Sequence, residues 1–99
     1  MSVQLACDAL RRGLCLELRY DGYSRVVEVH AVGRTKDGND IMRVWQLRGG
    51  SVSGERTGWK LLRFDEAAGV AILPGEASEA PRPGYARNDR VMVHIYGQL

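Results

Sequence analysis

The spacing of hydrophobic residues changes at Gly13. Between Ser2 and Arg12, Val3, Ala6, Cys7 and Leu10 recur at helical intervals, with Ser2 placed as an N-cap and Gly13 just past the last turn, so a helix is predicted over 2–12. Arg11 and Arg12 fall in its last turn, facing the negative end of the helix dipole. From Leu14 the period is two: Leu14, Leu16, Leu18 and Tyr20 alternate with Cys15, Glu17 and Arg19, the pattern of a half-buried strand. Asp21-Gly22, between Tyr20 and Tyr23, is the two-residue signal of a type I′ hairpin, because that turn needs positive φ at both positions. The returning strand runs to about Gly33. Strict alternation puts Val27, Val29 and Ala31 on one of its faces, and Val26, Glu28, His30 and Val32 on the other.

A polar turn around Asp37-Gly38 precedes a third strand, Ile41 to Arg48, which contains Trp45. Residues 49–58 hold Gly49, Gly50, Gly54 and Gly58 with Ser51 and Ser53, a composition that builds a flexible loop and no core. Trp59 to Phe64 reads as a fourth strand, and Gly69 to Leu73 as a fifth after a short turn. Beyond Pro74 the pattern loosens, and residues 74–99 are expected as a loosely ordered extension. Within them Val91, Val93 and Ile95 alternate as in a strand, while Asp89 could cap a short helix carrying Met92 and Tyr96; both readings stay open. The fold class is therefore mainly β with an N-terminal helix, about five antiparallel strands suggesting a small barrel over 14–73. At 99 residues one domain is expected, since two cores could not each bury enough apolar surface.

Composition narrows the setting. Hydrophobic residues make up 44% and charged residues 26%, close to an ordinary globular domain. No apolar run reaches bilayer length and the start Met-Ser-Val-Gln has no secretory pattern, so no membrane association is expected and the expected compartment is the cytoplasm. Cys7 and Cys15, each beside apolar residues, are expected as free thiols. The formal net charge of +2 does not by itself mark a nucleic-acid binder. Twelve of the fourteen basic residues are Arg, which suits two-point recognition of phosphate or carboxylate, although a GC-rich genome gives the same bias.

Catalytic chemistry finds little footing. Cys7, Cys15, His30 and His94 are the candidates for a nucleophile and base, and none lies in a recognisable motif. No two of the four are within five residues, against the close pairs of structural zinc sites, so no metal and no cofactor are expected. The glycine-rich loop lacks the Lys-Ser/Thr ending of a phosphate loop and joins two strands. The candidate site is instead a set of cations beside rings. Arg25 follows the Tyr20–Tyr23 turn, His30 lies five residues on, Arg43 and Trp45 share a face of the third strand, and Lys60 and Arg63 flank the core positions of the fourth. Were these strands neighbours, the patch would hold phosphates and stack bases. A solvated polar face is the competing reading.

The ordered features carry a resemblance. A Tyr ending the first strand, Arg25-Val26-Val27-Glu28 opening the second, and Gly-Trp-Lys-Leu-Leu-Arg-Phe-Asp at 58–65 resemble the WYL domain family over roughly residues 14–73. Gly49-Gly50-Ser51 and Arg82-Pro83-Gly84-Tyr85 resemble small stand-alone proteins of that kind. Val29 and Leu62 depart from the family's usual Pro and Phe. The resemblance implies an Sm-like small open β-barrel that senses a negatively charged ligand, a nucleotide or single-stranded nucleic acid, in a regulatory role. By position it implicates Tyr20, Arg25, His30, Lys60 and Arg63. The expected function is thus a ligand-sensing module that is not an enzyme. The alternative is a protein-interaction or assembly module, docking through exposed strand edges or the Arg-Pro-Gly-Tyr segment onto a partner or a second copy.

Overall fold

The computed structural model describes residues 2–99. Helix α1 (Ser2–Arg12) leads into strands β1 (Leu14–Tyr20), β2 (Tyr23–Arg34), β3 (Asp40–Gly49) and β4 (Gly58–Arg63), a 3-10 turn (Phe64–Glu66), β5 (Ala67–Ala77) and β6 (His94–Gln98). Every pairing is antiparallel, in the order β4-β3-β2-β1-β5, with β6 added along β2. The β1–β2 turn has φ of 52° at Asp21 and 80° at Gly22, the two positive values that a type I′ turn requires. The chain is mainly β with an N-terminal helix.

Strand pairing does not close the sheet: among the described residues, β4 and β5 each have one partner. They are nevertheless consecutive in the chain, joined by three residues. Four Cα steps reach at most about 14 Å, whereas the edges of a flat five-strand sheet lie roughly 19 Å apart. The sheet must therefore curl. Tyr20 pins this corner: its hydroxyl accepts from the Arg63 amide at 3.1 Å and donates to Glu66 Oε1 at 2.7 Å.

The concave face holds the core. Leu16, Leu18, Val27, Val29, Val32, Met42, Val44 and Leu62 pack with Ala6, Ala9 and Leu10 of α1. Strict alternation fails in β2, because the register slips by one between Val29↔Val44 and Ala31↔Arg43. His30 is the extra residue of this β-bulge. Val32 consequently joins Val29 in the core, and Ala31 turns to the opposite face, where it packs with Ile41 and Met92.

That opposite face is covered by residues 78–93, which link β5 to β6 and which the sequence suggests are loosely ordered. Two differences from the expected elements produce the cover. Strand β5 continues past Pro74 to Ala77, because Pro74 and Gly75 lie at the sheet edge, where a missing donor is tolerated. Strand β6 starts only at His94, so Val91 and Val93 stay exposed, and no helix forms at Asp89. Gly33 lets β6 approach: a Cβ there would meet the His94 carbonyl oxygen at 2.5 Å and Met92 Sδ at 2.8 Å.

Candidate functional site

Seven side chains form the sequence-derived site, and the fold divides them between two faces. Tyr20, Arg25 and Lys60 belong to the concave side, as their register with core positions requires, Lys60 standing opposite Val44. Arg43, Trp45 and Arg63 alternate to the covered face, and His30 lies there with Glu28, opposite the core residues Val27 and Val29. They do not converge on one point.

Most are already engaged. Arg63 holds Asp65 through two hydrogen bonds, at 3.0 and 2.5 Å. Arg43 holds Asp89 through two more, at 2.8 and 3.4 Å. His30 is fully buried, with one ring nitrogen 3.0 Å from the Glu28 carbonyl oxygen and the other 3.0 Å from the Arg82 amide. Burial pushes its pKa below the ordinary value, aided by the Arg82 charge and opposed by Glu28. Trp45 meets Trp59 edge-on at 5.4 Å and lies under the Arg82 guanidinium at 5.7 Å. Tyr20 has both hydroxyl functions occupied at the β4–β5 corner.

Arg25 and Lys60 are less fully paired. Arg25 is 4% exposed, lies over the Tyr20 and Tyr23 rings, and donates to Gln46 Oε1 at 3.4 Å, with Asp21 4.0 Å away. Its Nε has no partner among the described residues. Among the described residues, Lys60 donates only to the Ser51 and Ser53 hydroxyls of the glycine-rich loop, at 3.2 and 3.4 Å.

An open groove of about 580 Å³ lies elsewhere, between the outer surface of β3–β4 and residues 84–91. Trp59 and Tyr85 form one wall, their rings 6.4 Å apart and 27° from parallel. The Trp59 indole N–H donates to the Pro83 carbonyl at 3.1 Å, and the Tyr85 hydroxyl to the Leu99 carbonyl at 3.1 Å, so both rings are fixed. Arg43, Arg87 and Arg90 line the groove against a single carboxylate, Asp89. The groove thus carries two more arginines than carboxylates. Arg87 and Arg90 are exposed and make no ion pair among the described residues. A second concavity of about 460 Å³ is lined by Arg19, the candidate Arg25, Arg48 and Glu17; Arg25 is almost wholly buried there, and Arg48 is already bound twice by Glu76, at 2.7 Å each.

Of the seven candidates, the groove contains Arg43 alone. Tyr85, Arg87 and Arg90 lie in a stretch without periodicity, where the Arg-Pro-Gly-Tyr tetrapeptide was the only available signal. Among the described residues no group of three His, Cys, Asp or Glu side chains could hold a metal, and no helix is long and apolar enough to cross a membrane. Comparison with protein-family models, with curated proteins and with solved structures found no match to this chain.

Proposed function

We propose that this chain is a binding module for an anionic ligand bearing a flat ring, a nucleotide or a short single strand of nucleic acid, received in the groove between β3–β4 and residues 84–91. The observation that carries this reading is the concentration of uncompensated arginine beside two fixed aromatic rings. Guanidinium groups bind phosphate at two points, and rings stack on bases whatever their sequence. The volume lies within the range of small-ligand sites.

The curl imposed by the short β4–β5 link supports reading the sheet as an open Sm-like barrel, in keeping with the WYL resemblance. Two of the four groups weighed for catalysis, Cys15 and His30, are held in structural roles, which is in keeping with a role in sensing or regulation. Burial pushes the Cys15 thiol up to about 11, helped by Glu76 and Glu28, so it is a poor nucleophile at neutral pH. Both His30 nitrogens are occupied. Two free thiols suit a reducing compartment such as the cytoplasm.

The test is titration of the protein with oligothymidylate and with nucleoside monophosphates, followed by fluorescence of the two tryptophans. Saturable binding is expected to weaken with salt, at roughly −0.7 in log affinity per log salt for each phosphate held on a single strand. The double variant Arg87→Ala, Arg90→Ala should lose most of it. Should neither probe bind, or should the double variant bind as wild type does, the groove reading fails. A concentration-dependent mass in that event would favour the assembly alternative, for which the free edge of β4 and the exposed Leu61 are the available surfaces.

A further inference from the structure

We propose that His30 is an acid-released latch on the groove: its neutral ring holds the backbone of residues 82–85 against the sheet, and a proton on that ring lets this wall go. The functional consequence rests on the groove reading above; the latch itself does not.

The two backbone contacts of His30 fix its state. A carbonyl oxygen only accepts, so the Nδ1 atom 3.0 Å from the Glu28 carbonyl carries the hydrogen. An amide only donates, so the Nε2 atom 3.0 Å from the Arg82 N–H must be bare. One neutral tautomer satisfies both. Adding a proton at Nε2 turns a hydrogen bond into two donors facing each other, inside a site with no water-exposed alternative because His30 is fully buried.

The charged and titratable neighbours come from two elements. On β2 itself stands Glu28, whose buried carboxylate accepts from Arg82 Nε, Arg82 Nη2 and the Glu79 amide. From the covering segment come Arg82, with Glu79 3.8 Å from its guanidinium, and Tyr85, whose ring centroid is 5.3 Å from that of His30. Trp59 of β4 packs edge-on at 4.6 Å and brings no charge. Burial and Arg82 oppose charging the ring, Glu28 favours it, and the net direction is down. A ring released to solvent regains the ordinary histidine value near 6.5. The sign follows: the latched state binds fewer protons, so its advantage is whole above about pH 6.5 and falls as pH drops below that value.

Release removes more than one hydrogen bond. Pro83, whose carbonyl fixes the Trp59 indole, and Tyr85, the second ring of the groove wall, both lie within three residues of the Arg82 amide. A ligand in the groove and a proton on His30 thus compete, and each weakens the other's hold by the same factor.

Amide hydrogen exchange of the full chain, divided by the intrinsic rate at each pH, reads the latch directly. Protection of the Arg82 amide is expected to fall by about tenfold between about pH 7.5 and pH 5, while the amides that pair β1 with β2 hold theirs. In His30→Gln, whose side chain offers a fixed acceptor and a fixed donor and does not titrate, Arg82 protection should be flat with pH. Flat protection in the wild type overturns the latch, and so does an equal fall across β1 and β2, which would be global unfolding; this comparison stands even if His30→Gln fails to fold. Oligothymidylate binding is expected to weaken in parallel. Absent binding at both pH values would overturn the groove reading and leave the exchange result to decide the latch alone.

Discussion

Arg82 and Glu28 form the ion pair that fastens the covering segment to the sheet, with Nε 2.7 Å from Oε1 and Nη2 3.2 Å from Oε2. Glu28 is wholly buried and also accepts from the Glu79 amide, so the carboxylate organises three donors from residues 79–82. A buried carboxylate left without its counter-charge loses about 3–5 kcal/mol. Arg82→Ala is therefore expected to lower the urea midpoint far more than Arg48→Ala, which breaks the exposed pair with Glu76. Equal shifts in the two variants would mean that the covering segment adds nothing to stability.

Asp89 holds Arg43 in the groove and subtracts from its positive charge. Its own burial pushes the carboxyl up, but the Arg43 guanidinium and the Val91 amide outweigh that and hold it below the usual carboxylate range. The pair is consequently intact at neutral pH, and its stabilisation is lost only as pH falls through that depressed value. Asp89→Asn keeps an acceptor for the Val91 amide and frees the Arg43 charge. Affinity for oligothymidylate at low salt should rise several-fold, and the gain should shrink as salt is added. Unchanged affinity would place the anion away from Arg43.

Tyr20→Phe removes a hydroxyl that serves the Arg63 amide and Glu66 at once. The expected cost is about 1–2 kcal/mol in urea unfolding, with faster exchange of the Arg63 amide. Tyr23→Phe is the control. Tyr23 is 43% exposed, and its replacement should stay within about 0.5 kcal/mol.

Cys15 is wholly buried, and its thiol donates to the Ala77 carbonyl at 3.6 Å. With its pKa raised to about 11, only a small thiolate fraction exists near pH 8. Alkylation by iodoacetamide is expected at Cys15 only upon denaturation, detected by peptide mass. Rapid modification of the native protein would reopen the case for a reactive cysteine.

The helix and the first four strands are legible in the sequence because local signals mark them. Gly13 ends α1, Asp21-Gly22 turns β1 into β2, and alternation or Trp and Leu runs mark β3 and β4. The extent of β5 is hidden by Pro74 and Gly75, which read as a stop yet sit where the sheet has a free edge. The phase of β2 is hidden as well, since a bulge at His30 leaves no trace in hydrophobicity: Val29, Ala31 and Val32 are all apolar. The site was least legible. Sequence can place Arg43 and Arg63 on strands but cannot show that Asp89, 46 residues away, and Asp65 take them up.

The bulge at His30 also fixes how β2 can lie. Sliding β2 along β3 by one residue would turn Ala31 toward the main core in place of Val32 and swing the imidazole off the Arg82 amide; sliding by two would carry the kink away from Arg43. One inserted residue thus acts as a keyed joint, which admits a single alignment of the longest strand with its neighbour.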